Sequence, residues 1–324
     1  MSVGLTVGKF DPPHRGHSML FDVARAHVDT LIVLVYDFER QSIPAQVRAA
    51  WMKECHPDVD FRVIPNPEPL RAFDPVTYGP PARDFLGDVA IDLVVTSEAY
   101  GEGLARIFGA RYIAVDRDRT AIPCTSTMIR RDPLNNLQWL QPNVRAHYVR
   151  RITVVGSEST GKTSLCAYLA ERFSTNWVTE YGREYSATKV KAGITGRWSS
   201  AEFVHIAREQ QRREDEGARR ANRVLICDTD ALSTRIWHER YIGRDVDAWP
   251  LPPSRTALYL IPFPDVPFVA DDVRDSEHLR YWMYERFVDE FKARGYSYEV
   301  LNGDFNERRE RAVAVIEEEI ARCS

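Results

Sequence analysis

The chain has 324 residues, 44% of them hydrophobic and 28% charged, with a formal net charge of −4. Single cores usually stop growing at roughly 250 to 300 residues, so two domains of ordinary size are expected. The composition excludes a disordered chain, no apolar run approaches the ~20 residues of a membrane-spanning helix, and the charge argues against nucleic acid as a main partner.

The chain opens on an apolar strand, residues 4–7, and no basic segment followed by an apolar stretch precedes it, so the expected location is the cytoplasm. Immediately after the strand comes Gly8-Lys9-Phe10-Asp11-Pro12-Pro13-His14-Arg15-Gly16-His17, of the form GxFxPxHxGH, leading into an amphipathic helix. Two imidazoles on one approach to a helix N-terminus can donate to a triphosphate as charge moves onto departing pyrophosphate. Gly16 would let a phosphate approach the backbone, and Gly8, Lys9 and Phe10 complete the candidate nucleotide loop. Further strands are expected at 31–36, 61–64, 92–96 and 112–115, alternating with segments of helical period, which is the pattern of a parallel α/β sheet. After the last of them, Thr125 to Arg130 offers the hydroxyls of Ser126 and Thr127, a helix start and Arg130 for phosphate oxygens. A lone histidine would read as an ordinary side chain. The pair together with Arg130 reads as nucleotidyl transfer.

Residues 132–150 contain Pro133 and Pro142 and lack strand periodicity, which places a domain boundary near 148, with domains 1–148 and 149–324. Strands are expected again at 152–155, 224–227, 257–261 and 298–301. The first of these runs into Gly156-Ser157-Glu158-Ser159-Thr160-Gly161-Lys162-Thr163-Ser164, a full GxxxxGK[ST] loop between a strand and a helix-forming run. Its small residues let backbone N–H groups turn inward around the phosphates of ATP, with Lys162 reaching the β and γ phosphates. Thr163 would place its hydroxyl on Mg2+, with Asp228 or Asp230 of the segment VLICDTD supplying a carboxylate. A GTPase shares this loop, but no NKxD-like tetrapeptide follows. A small-molecule kinase needs an arginine-bearing lid, for which residues 265–280 and Arg274 are the candidates. The mixed charges of 208–223 read as a solvated helix face. Five cysteines without CxxC spacing argue for reduced thiols rather than disulfides or zinc.

With these motifs in order, the chain resembles the bifunctional nicotinamide-nucleotide adenylyltransferase and ribosylnicotinamide kinase family of the NadR type. The resemblance is carried by GKFDPPHRGH, LVVTSEAYGE and VDRDRTAIPCTSTMIR in the first half. In the second half it is carried by VVGSESTGKTSL, TEYGREY, CDTDALSTRIWHERYIGR, VPFVADDVR and DFNERRE.

The resemblance implies phosphorylation of nicotinamide riboside by the second domain and adenylylation of the resulting mononucleotide to NAD by the first, each with ATP and Mg2+. His14, His17 and Arg130 would then serve adenylyl transfer, and Lys162, Thr163, Asp228 and Arg274 phosphoryl transfer. Glu180 and Arg183 would lie near the riboside hydroxyls with Glu180 as general base, and Asp230 would contact substrate. Phe268 and Phe305 would sandwich the pyridine ring, a cation–π arrangement worth about 1 to 2 kcal/mol when desolvated, unless both are ordinary core residues. Two features depart from the family: Asp272 stands where glycine is usual, and Phe268 where tryptophan is. The helix-turn-helix of DNA-binding members is not seen before the first motif, so no DNA-binding role is expected. Two other readings remain open, a nucleotide-sensing regulator without turnover and an enzyme acting on another small acceptor. Homo-oligomerisation is not decided by the sequence.

Overall fold

The computed structural model describes residues 1–38, 41–65, 75–194, 197–243, 254–267 and 277–323. The chain divides into two units, Met1–Val144 and Arg145–Ser324.

In the first unit strands and helices alternate strictly. The order is β1 (Val3–Gly8), α1 (Arg15–Arg25), β2 (Thr30–Asp37), α2 (Ala45–Cys55), β3 (Asp60–Pro65), α3 (Pro75–Leu86), β4 (Leu93–Thr96), α4 (Gly101–Phe108), β5 (Arg111–Ala114) and α5 (Ser126–Arg131). A further helix, α6 (Pro142–Tyr148), contains the division between the units. The sheet runs β3-β2-β1-β4-β5 with every pair parallel. A parallel strand is covered on both faces, which is why β2 reads as an unbroken apolar run. Its Leu31, Val33 and Val35 pack with Phe21 and Val95 on one face, and its Ile32, Leu34 and Tyr36 pack with Leu5 and Leu104 on the other. The chain changes direction of travel across the sheet after β3, so β1 and β4 flank the switch point. There the crevice beyond the carboxyl ends of the strands opens to a ligand.

The second unit repeats the logic with β6 (Arg150–Val154), α7 (Lys162–Arg172), β7 (Trp177–Val178), α8 (Tyr181–Lys191), α9 (Ser200–Ala218), β8 (Val224–Asp228) and α10 (Ala231–Ile242). It closes with β9 (Thr256–Pro262), α11 (Arg280–Arg294), β10 (Tyr298–Leu301) and α12 (Phe305–Ala321). Its sheet is again wholly parallel, ordered β10-β9-β6-β8-β7. Strand β6 therefore lies at the second switch point. One face of the sheet buries Ile152, Val154, Leu169 and Ile226, and the other buries Val155, Tyr259, Ile261 and Phe287.

Two sequence expectations differ from this arrangement. Strand β7 was not expected, because two residues are too few to show a period. The charged run at 208–223 is not a solvated face throughout: Gln210 and Glu214 on α9 are 1% and 7% exposed. Glu214 turns inward beside Arg151 at 3.5 Å, and burial pushes its carboxyl up to about 8. Only the outward residues behave as expected, with Arg212 paired to Glu209 and Arg213 to Glu184. No helix among the described residues is long and apolar enough to cross a membrane.

Candidate active sites

The first motif folds into a tight loop between β1 and α1. Phe10 adopts φ 50°, in the left-handed region, and the Asp11–Pro12 bond is cis. These turns bring His14 to the N-cap of α1. Its Nδ1 accepts from the Gly16 N–H at 3.1 Å, while its own backbone N–H donates to Nδ1 of His17 at 3.2 Å. The two rings stack with centroids 3.7 Å apart. Each Nδ1 is thus an acceptor, which assigns the ring hydrogen to Nε2 in both residues.

Burial, and after it the Arg119 cation, lowers His14 to about 3. Burial, followed by His14 and Arg119, holds His17 well below its ordinary value. At neutral pH the site therefore presents two uncharged Nε2–H donors. Gly16 matters for this packing, because a Cβ there would lie 3.0 Å from the His14 ring.

Helix α5 is stapled onto the same loop across more than a hundred residues. Thr125 caps it by accepting from the Met128 N–H at 3.0 Å, and the Ser126 hydroxyl donates to the Pro12 carbonyl at 3.0 Å. Arg130 donates to the Asp11 carbonyl and, at 3.3 Å, to the Thr127 hydroxyl, yet its side chain stays 41% exposed. Lys9 is exposed close by, its amine lowered by burial and by Arg130.

The structure thus brings together His14, His17, Arg130, Lys9, Ser126 and Thr127. Phe10 is a correction. It is 4% exposed, packs in the core against Phe21 and meets His17 edge-on at 4.9 Å, so it supports the site from beneath. Gly8 serves Phe10, whose ring would lie 2.8 Å from a Cβ there. A small space of about 10 Å³ beside the histidines is lined by Phe21, Trp51, Met52 and His56. Arg119, which the sequence reading did not single out, bonds the Cys124 carbonyl at 3.2 Å and Glu98 at 2.7 Å and is the cation nearest in effect to both imidazoles.

In the second unit the loop after β6 takes three residues into the left-handed region: Gly156 (φ 137°), Ser159 (φ 55°) and Gly161 (φ 82°). Lys162 donates to the Ser157 carbonyl at 2.8 Å, as does the Thr160 hydroxyl at 3.0 Å. Thr163 heads α7 and donates to Oδ2 of Asp228, at the end of β8, at 2.7 Å. Asp228 is 1% exposed, and its Oδ1 has no hydrogen-bond partner among the described residues. Burial raises the carboxyl of Asp228 and also that of Glu180, the N-cap of α8; Lys162 opposes both shifts.

A cavity of about 660 Å³ is lined by Glu158 to Ser164 of the loop, together with Glu180, Arg183, Thr229 and Phe305. Its volume falls within the ordinary range for small-molecule sites. Glu158 is held within it by Arg240 at 3.5 Å. Ser157 is buried beneath the loop.

Asp230 is a correction. It caps α10, with Oδ1 accepting from the Ser233 N–H at 2.9 Å and Oδ2 from the Tyr259 hydroxyl at 2.7 Å, and it does not line the cavity. Phe305 lines it but lies against the phosphate loop, 3.8 Å from where a Gly161 Cβ would stand, with Arg309 4.0 Å over its ring. Phe268, Asp272 and Arg274 lie outside the described residues.

Two arginines missed in the sequence tie the loop to the segment following β9. Arg308 donates to the carbonyls of Thr160 at 3.1 Å and Phe263 at 2.9 Å, and Arg280 donates to Val266 at 2.9 Å. Both are 5% exposed or less.

Comparison with known proteins agrees with the motifs. A family model described as cytidylyltransferase-like matches residues 5–192, and one described as an AAA domain matches 151–308. The "Trifunctional NAD biosynthesis/regulator protein NadR" of Escherichia coli is 28% identical over 296 residues, covering 84% of this chain and 72% of that protein. The protein of the same name from Salmonella typhimurium is 27% identical over 301 residues, with the same coverage. The crystal structure of a NadR protein in complex with NR superposes with a TM-score of 0.78 at 19% identity, covering 98% of this chain and 96% of the other. One in complex with NAD and AMP-PNP gives 0.75 at 19% identity with the same coverage. The resemblance to the NadR type is borne out, and two wholly parallel sheets of the expected kinds carry it. With one model spanning residues 5–192 of 324, the chain belongs to the cytidylyltransferase-like family.

Proposed function

We propose that the chain makes NAD in two ATP-dependent steps. Residues 149–324 phosphorylate nicotinamide riboside, and residues 1–148 adenylylate the mononucleotide. The reading is carried by one observation: each of the two sheets presents a nucleotide motif at the carboxyl end of its switch-point strand, β1 in one and β6 in the other. The names of the NadR relatives, and the NR, NAD and AMP-PNP in the NadR crystal structures, support the choice of substrates.

In the kinase step the 5′-hydroxyl oxygen of the riboside attacks the γ-phosphorus of ATP. A new P–O bond forms as the bond to the β,γ-bridging oxygen breaks, ADP departs, and the hydroxyl proton passes to Glu180. Burial raises Glu180, which makes its carboxylate a stronger base for that proton. Lys162 leaves the Ser157 carbonyl to bind the γ-phosphate, and loop N–H groups hold the β-phosphate. The pair Thr163 and Asp228 fits Mg2+: a hydroxyl and a carboxylate sit within 2.7 Å, and the second carboxylate oxygen is buried without a partner. Mg2+ bound there would neutralise charge on the β and γ phosphates.

In the adenylyl step an oxygen of the mononucleotide phosphate attacks the α-phosphorus of ATP. The α,β bridge breaks and pyrophosphate leaves, with no covalent enzyme intermediate. The Nε2–H groups of His14 and His17 and the guanidinium of Arg130 would take up the charge on that leaving group; their shared position at the loop after β1 supports this reading. Both steps belong to the cytoplasm, in keeping with five free thiols.

Incubation with ATP, Mg2+ and nicotinamide riboside tests the proposal. The mononucleotide should form first and NAD after it. Nucleotide binding with neither product would favour a sensing role instead.

A further inference from the structure

Glu180 stands at the N-cap of α8, yet its side chain does not cap the helix. A residue in this position ordinarily turns its side-chain oxygen onto the free N–H groups of the first turn. Glu180 makes no such bond, and it lines the second-unit cavity instead. The acceptor for the first of those N–H groups comes from the neighbouring helix: Oε1 of Gln210, on α9, takes the Tyr181 N–H at 2.9 Å.

This bond fixes which end of the buried Gln210 amide faces α8, because only the oxygen can accept. The other end, Nε2, is buried beside Glu214 one turn along α9 and makes no well-formed hydrogen bond. A buried amide with one end poorly satisfied costs stability, and an apolar side chain of similar size would avoid that cost. Packing alone therefore does not account for a glutamine here. The bond to Tyr181 does.

That bond acts on Glu180 through covalent geometry. The peptide joining Glu180 to Tyr181 is planar, so holding its N–H fixes the direction in which the chain leaves the Glu180 Cα. The rest of α9 grips the same turn. Arg213 lies 4.5 Å over the Tyr181 ring and pairs with Glu184 at 2.7 Å, and Nε2 of His205 stands 3.1 Å from the Tyr181 hydroxyl. Of the α9 residues in this grip, only Gln210 lines the cavity beside Glu180. We propose that Gln210 is a positioning residue for phosphoryl transfer: it holds the Tyr181 N–H so that the Glu180 carboxylate is left free and aimed at the acceptor hydroxyl. The proposal rests on the reading of Glu180 as the base of a riboside kinase.

Steady-state kinetics of mononucleotide formation on the full chain test it. Gln210→Met keeps the volume and removes the acceptor; kcat should fall about tenfold while KM for nicotinamide riboside and for ATP stays within about twofold. Gln210→Asn, one methylene shorter and out of reach of Tyr181, should lose as much and serves if the methionine variant does not fold. Gln210→Glu restores an acceptor oxygen and should recover most of the loss. In a Glu180→Gln background Gln210→Met should cost nothing further, because the group it aims is gone. A loss that persists at full size in that background, or one carried by KM with kcat kept, overturns the proposal. If Glu180→Gln alone leaves kcat unchanged, the reading of Glu180 as the base fails first, and the proposal with it; if the unmodified chain phosphorylates no riboside, the reading of function fails before either.

Discussion

His14 and His17 show how far local spacing specifies a site. Two histidines three apart at a helix start, with Gly16 between them, have little choice: the first caps the helix, the second bonds its backbone, and their rings stack. Lys162 and Thr163 are legible for the same reason, since a strand-loop-helix with glycines at its turns dictates where the next residues point. Asp228 and Asp230 are not separable in sequence. They stand two apart at the end of one strand, and only the packing of Tyr259 and Ser233 shows that Asp230 is consumed as a cap while Asp228 faces Thr163. Arg119, Arg280 and Arg308 were invisible because their roles arise from carbonyls and carboxylates far along the chain or in turns that no motif announces.

The histidine shifts carry a prediction. Both folded values are depressed, so the unfolded chain takes up protons near pH 6.5 while the folded one does not. Stability from this source is full above about pH 6.5 and is lost as pH falls toward about 3, with a slope nearing ~1.4 kcal/mol per pH unit for each histidine. Urea unfolding of the first unit between pH 7 and pH 4 should show that loss, and His14→Gln should make it shallower. An unchanged slope in the variant would contradict the account.

Strands were the most legible elements because a parallel sheet covers both faces, leaving continuous apolar runs such as residues 31–36. Strand β7 escaped because it has two residues, and α9 was misread because an inward glutamate in a charged run looks like an outward one. Helix α10 gives the element-scale test. It carries Trp237, Ser233 and Thr234 to the cavity, and Asp230 holds its first turn. Asp230→Asn keeps a good cap and should leave KM for riboside within about twofold. Asp230→Ala should destabilise the second unit by about 1 to 2 kcal/mol in chemical denaturation. A tenfold rise in KM for the asparagine variant would return Asp230 to the substrate.

At the scale of the whole molecule, the chain is two parallel α/β units in tandem, each with its own switch point and its own nucleotide loop. That much followed from length and from the restart of the strand pattern after residue 150. The roomy cavity of the second unit did not, because side-chain packing decides how much space is left beside a motif. The central claim is that two transfers occur at two independent centres. Lys162→Ala tests it most directly, with both products followed in one assay. The variant should form no mononucleotide from riboside, yet convert supplied mononucleotide and ATP to NAD at the unmodified rate. A folded variant that loses both activities together, or neither, would contradict the account.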